Sequence, residues 1–236
     1  MKRLLPFIII LGVLGVAVGS VLYMTRTKSA PPAEPGPQSS GQPNPSPSPN
    51  PVRTGVPGAE PAHTIGPANA PVHIEEFGDF QCPPCGMFHP VLKQMEQEFG
   101  DKIQVTFRNN PLPNHNHAVA AASAAEAAGL QNKFWEMHAL IYEHQNEWSA
   151  SFDARSTFEG YAKQLGLDVE RFKRDVLSDR VEQRIYLDGK RARSMNVNST
   201  PTVFINGREQ DFKVFMRADG MRGLIQNELT DVEKKK

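Results

Sequence analysis

The chain has 236 residues, 39% of them hydrophobic, and its 26 basic residues balance 26 acidic ones, so the formal net charge is zero. That length holds one ordinary domain with appendages, and the balanced charge leaves no field to draw in nucleic acid. Only two cysteines are present, Cys82 and Cys85, which excludes the multi-bridge framework of a small secreted scaffold and puts all the thiol chemistry in one spot.

The first element is an apolar span. Leu4 to Met24 carries no charge over 21 residues, and at about 1.5 Å per residue it covers the roughly 30 Å hydrocarbon core. Residues 1–28 therefore read as an N-terminal transmembrane anchor with its flanks. Ser29 and Ala30 run straight into Pro31 and Pro32, which is no clean cleavage site, so an uncleaved anchor is expected, with a cleaved signal as the alternative. Lys2 and Arg3 face Arg26 and Lys28 across the span, which leaves its orientation open. The Gly15–Gly19 spacing is ordinary for a membrane helix, and the protein is expected to be a monomer.

Residues 29–62 hold eleven prolines, with one at every second position from Pro43 to Pro51. Such a segment cannot bury a core and prefers polyproline II, so it reads as a disordered linker with a reach on the order of 100 Å. The folded part is expected over residues 63–229, followed by a charged tail, 230–236, that ends in three lysines.

Within the folded part, Val72–Phe77 reads as a strand running into the loop that carries the cysteines. Phe88, Val91, Leu92, Met95 and Phe99 recur at helical spacing up to Gly100, and Ile103, Val105 and Phe107 alternate as a second strand. This predicts a β-α-β unit with the cysteines at its crossover. A run of helices follows over about residues 114–195: His117–Ala128, Lys133–Gln145, Ser156–Leu165, Val169–Leu177 and Arg180–Met195. Thr202–Ile205 resumes the sheet, turns at Asn206-Gly207 and is expected to pair back through about Phe212, before a last helix near Met221–Leu229. The fold class is α/β, a sheet-and-helix sandwich interrupted by an all-helical subdomain.

Cys82-Pro83-Pro84-Cys85 stands where the first helix begins. Both sulfurs then lie on one side of the first turn, near the positive end of the helix dipole, an environment that favours thiolate over thiol. Pro83 and Pro84 cost little there, because the first helical N–H groups have no intrahelical partner to lose. A bridge across two intervening residues adds little chain-entropy stabilisation, so a structural staple explains the pair poorly. A metal site needs two more ligands, for which His115 and His117 are the candidates. A pair that forms and breaks is the reading the residues favour.

Three stretches, EFGDFQCPPCGMFHP at 76–90, RNNPLPNHNHAVAAASAAEAAGLQNKFWEMHALIY at 108–142 and NSTPTVFING at 198–207, together resemble the DsbA-like thioredoxin-fold proteins. The likeness covers most of residues 63–229. It implies a thioredoxin-like fold with an inserted helical subdomain, an active site at Cys82 and Cys85, and no cofactor. Cys82 then matches the sulfur that forms the mixed disulfide with substrate, and Cys85 the resolving thiol. Pro201, after Thr200, matches the cis-proline loop beside the sulfurs. Glu76 matches the buried acid beneath the active site, and it shares strand parity with Val72 and Ile74, which leaves Glu75 as the ordinary exposed or edge residue. His89 is expected on the rim of the groove, and Trp135 and Met137 in the core of the insertion.

Pro84 stands where the best-known DsbA pattern has a histidine, and proline offers neither charge nor donor to a thiolate, so a less oxidising protein is expected. The resemblance implies cysteine-containing polypeptide substrates and a membrane redox partner. An oxidising pair belongs outside the cytoplasm, which places the catalytic domain on the extracytoplasmic, periplasmic side of the cell membrane. The competing readings are a reductase or isomerase on the same fold, or a tethered metal-binding or adaptor module.

Overall fold

The computed structural model describes residues 51–234. The Leu4–Met24 span, most of the proline-rich segment and the last two residues of the tail lie outside the described residues. Among the described residues no helix is long and apolar enough to cross a membrane.

Five strands form one sheet in the order β1-β3-β2-β4-β5: β1 His63–Ile65, β2 Val72–Gly78, β3 Ile103–Asn109, β4 Thr202–Ile205 and β5 Arg208–Glu209. Only β2 and β3 run parallel, and they are joined by α1, Pro83–Phe99. The helical insertion comprises α2 Ala118–Gly129, α3 Phe134–Glu143, α4 Gln145–Trp148, α5 Ala154–Gln164, α6 Val169–Val176 and α7 Asp179–Ser194. After the sheet closes come α8, Phe212–Phe215, and α9, Ala218–Glu233.

Strand alternation sorts side chains to two faces. On one, Val72, Ile74, Val105, Val203 and Ile205 pack with Phe88, Leu92 and Met95 of α1 and with Met221 and Ile225 of α9. On the other, Phe77 and Phe204 meet Ala192 of α7, together with Met195 and Val197 just beyond it. Because both faces are covered, Glu75 is not the exposed edge residue that parity implied. It lies under α7 and accepts from Arg108 Nε at 2.9 Å and from Arg191 Nε and Nη2 at 2.7 Å each.

The insertion is organised around α2, whose alanines are buried on nearly every side. Small side chains all round let α3, α5, α6 and α7 approach this one helix closely. Its one buried carboxylate, Glu126, is held by Arg184, by His63 and by Asn109 Nδ2 at 2.7 Å.

Four local expectations are corrected. Residues 51–62, which composition assigns to the linker, lie on the domain: the Arg53 amide donates to Gly207 O at 2.7 Å, Val52 bridges to Arg208, and Ala59 is buried with its amide on Asp188 Oδ1 at 2.8 Å. Arginine side chains from the domain cap this strap, Arg108 on Ala59 O, Arg184 on Glu60 O and Pro61 O, and Arg191 on Val56 O. The strand β1 was not anticipated, being three residues paired at the sheet edge. β5 stops at Glu209, because the Asp211 side chain caps the Lys213 amide at 2.7 Å and starts α8. The last helix begins at Ala218, ahead of the glycines that argued for a later start; Gly220 is there because a Cβ would meet Val214 O at 2.1 Å.

Candidate active site

Both cysteines sit where β2 feeds α1. Cys82 occupies the N-cap in extended conformation, and Pro83 and Pro84 take the first two helical positions, where a missing N–H costs nothing. The Cys85 and Gly86 amides turn back to Cys82 O at 3.0 and 3.2 Å, closing the first turn. Both thiols are free and buried, Cys85 completely and Cys82 at 5% exposure.

Across from them lies the loop leading into β4. The Thr200-Pro201 peptide is cis, both residues are buried, and Cys82 Sγ lies 3.3 Å from Thr200 O. The structure thus brings Cys82, Cys85, Pro83, Pro84, Thr200 and Pro201 together, although the two segments are 118 residues apart in sequence.

The electrostatics separate the two sulfurs. The Cys82 thiol is pulled from 9.0 down to about 6, chiefly by its hydrogen bond with Cys85 and further by Thr200 and the Cys85 backbone, against burial and the Asp79 charge. Burial pushes the Cys85 thiol up, and the bond it gives Cys82 adds to this. One sulfur is a thiolate at neutral pH and the other a protonated donor to it.

Glu76 is 2% exposed. Its cross-strand neighbours are Phe107 on β3 and Val203 on β4, which offer no charge, and burial lifts its carboxyl from 4.5 to about 8. Glu96 and Cys82 add smaller upward contributions. Glu76 is therefore a neutral acid at pH 7 that lies within the field felt by Cys85.

Several residues around the pair escaped sequence reasoning. Gln145 donates from Nε2 to Phe80 O at 2.7 Å and to Cys82 O at 2.9 Å, fixing the entry to the active-site turn. Its approach requires Gly86, where a Cβ would stand 2.5 Å from Gln145 Oε1. Asp79 is fully buried beneath the same turn. The sequence carried no signal for Gln145, since its partners are 63 and 65 residues away.

The two histidines weighed as metal ligands diverge. His115 Nδ1 donates to Asp79 Oδ2 at 2.7 Å, and His117 Nε2 donates to Ser151 O at 2.8 Å. His89 is half-buried and stacks on Tyr142, and burial lowers its basicity. Met137 is in the insertion's core as expected, whereas Trp135 is only partly buried and donates from Nε1 to Thr64 O at 3.0 Å.

The fold and the placement of the cysteine pair define the class: a thioredoxin-fold protein with an inserted helical subdomain and a Cys-Pro-Pro-Cys pair at the start of its first helix. The family model described as Thioredoxin matches residues 59–227, and the chain belongs to that family. Among solved structures, oxidised BdbD from Bacillus subtilis is similar at 24% identity and a TM-score of 0.66, covering 77% of this chain and 100% of that one. Wolbachia pipientis alpha-DsbA1 is similar at 17% identity and a TM-score of 0.65, over 75% of this chain and 95% of that one. A Na(+)/H(+) antiporter NhaA 1 of Salinispora arenicola is 42% identical over 147 residues, which is 62% of this chain and 22% of that protein. The chain thus spans about a fifth of the length of the curated relatives it matches.

Proposed function

We propose that the protein is an extracytoplasmic thiol-disulfide oxidoreductase held to the cell membrane by residues 4–24, exchanging the Cys82–Cys85 pair with cysteines of polypeptide substrates. The observation that carries this is the asymmetry of the pair: Cys82 at a helix N-cap with its thiol near 6, against a fully buried Cys85 pushed upward. In the oxidised protein a substrate thiolate attacks Cys82 Sγ and breaks the Cys82–Cys85 bond, and Cys85 leaves as a thiolate. A second substrate thiolate then attacks the mixed disulfide, releasing substrate disulfide and leaving Cys82 as the thiolate. Two electrons pass from substrate to protein. In the first step the Glu76 carboxyl, buried, neutral at pH 7 and within the field of Cys85, gives its proton to the departing Cys85 thiolate; in the reverse direction Cys85 resolves the mixed disulfide.

Thr200 and Pro201 border Cys82 and present backbone to the substrate chain. A membrane redox partner returns the pair to its working state. Relatives named Na(+)/H(+) antiporter, in which the matching stretch is 22% and 23% of the length, support a setting beside the membrane.

The test is whether the oxidised protein converts a reduced two-cysteine peptide to its disulfide with matching appearance of the Cys82/Cys85 dithiol; a protein inert toward such peptides contradicts the proposal. Direction is set by potential. Pro84 is half-buried at the second helical position, and Pro84→His should place a donor there. Stabilisation of the thiolate by tenfold raises the potential by about 30 mV. Equilibration with glutathione measures it, and an unchanged potential would remove proline from the explanation of redox poise.

A further inference from the structure

The Asp79 carboxylate is completely buried directly before the cysteine turn. Oδ1 accepts from the Gln81 amide at 2.8 Å, and Oδ2 from the Leu112 amide at 2.8 Å and His115 Nδ1 at 2.7 Å, while Asp79 O accepts from the Cys82 amide at 3.0 Å. Two backbone donors that would otherwise be buried and unpaired explain why an acceptor is needed here. The same carboxylate is an anion beside a sulfur that works as an anion, and like charges oppose each other.

Among the described residues, His115 is the ionisable side chain that pairs with Asp79. It belongs to a segment fastened twice to the active-site turn, since the His117 amide also donates to Gln81 Oε1 at 2.6 Å. Its ring is 19% exposed, so it joins solvent to the buried acid.

We infer that His115 is a positioning residue for the reactive thiol: its hydrogen bond to Asp79 fixes the 79–82 turn and screens the carboxylate from Cys82, so that the turn keeps its acceptor without losing the thiolate. The inference rests on the proposed role of Cys82. The direction agrees with the Asp79 charge opposing the downward shift at Cys82.

The experiment is a thiolate titration of the reduced protein by ultraviolet absorbance, paired with glutathione equilibration, for His115→Ala and His115→Gln. His115→Ala is expected to raise the Cys82 titration by roughly half to one pH unit. The glutathione equilibrium moves toward oxidised protein by up to about tenfold, which is at most about 30 mV. His115→Gln keeps a donor for Asp79 and should shift both readouts in the same direction by less. In an Asp79→Asn background, whose own titration starts lower, His115→Ala should produce no further shift. Unchanged readouts in both His115 variants, or the same shift with Asp79→Asn present, overturn the inference. The titration needs no substrate, so a wild-type protein inert toward peptides would defeat the proposed function while this coupling is still measured.

Discussion

Replacing Cys82 with serine should abolish disulfide exchange with a cysteine peptide, by at least about a thousandfold, because the hydroxyl is neither ionised near neutral pH nor able to form the mixed disulfide. Cys85→Ala should behave differently. Cys82 remains beside Thr200 O at 3.3 Å and still attacks, but no internal thiol is left to displace the substrate. The expected result is a covalent adduct between this variant and a disulfide-bonded peptide, stable in denaturing gels and released by dithiothreitol. Cys82 loses its largest stabilising hydrogen bond when Cys85 goes, so its titration should also move up from about 6 in the Cys85→Ala variant. Serine at position 82 with retained exchange, or adducts that form through Cys85, would reverse the assignment of the two sulfurs.

Glu76→Gln should remove a pH dependence of stability and slow opening of the Cys82–Cys85 bond together. The folded protein holds the Glu76 proton up to about pH 8, whereas the unfolded chain releases it near 4.5. Between those values the folded state binds more protons, so the Glu76 contribution is fully present below about pH 4.5 and is lost as pH rises toward 8. At pH 7 the loss is roughly 3 kcal/mol, taking about 1.4 kcal/mol for each pH unit. Glutamine cannot ionise, so the difference in stability between wild type and variant should change by that amount from pH 4.5 to 7, as denaturant titrations at the two pH values would measure. Opening of the Cys82–Cys85 bond by a substrate thiolate should be about a hundredfold slower in the variant, since the neutral acid that gives a proton to the departing Cys85 thiolate is gone. Parallel stability curves would mean that Glu76 is ionised in the folded protein.

The two strands and the helix that carry the cysteines were legible because local periodicity decides them: Val72, Ile74, Val105 and Phe107 alternate, and Phe88, Leu92 and Met95 recur on one helical face. Parity also placed Glu76 inward. It failed for Glu75, because what covers the other face is α7, whose Arg191 is 116 residues away. The 51–62 strap escaped for a related reason. Its own composition reads as coil, and its order comes from Arg108, Arg184 and Arg191 reaching its carbonyls from elsewhere. At the site, the cysteines and Thr200-Pro201 were legible by resemblance to a family. Gln145 and Asp79 were not, since a side chain that serves distant backbone groups leaves no mark on local spacing. The NHNH stretch illustrates this most directly: His115 and His117 look like paired ligands in sequence, and each has a separate partner in the fold.

One sulfur of the pair is poised as a thiolate and the other is held as a thiol. Alkylation of the reduced protein by iodoacetamide across pH 4 to 10, with the modified cysteine identified by peptide mass, tests it most directly. One transition near pH 6 is expected, carried by Cys82 and absent in Cys82→Ser, with Cys85 unmodified through neutral pH. A transition near 9 at Cys82, or labelling of Cys85 at lower pH than Cys82, would contradict it.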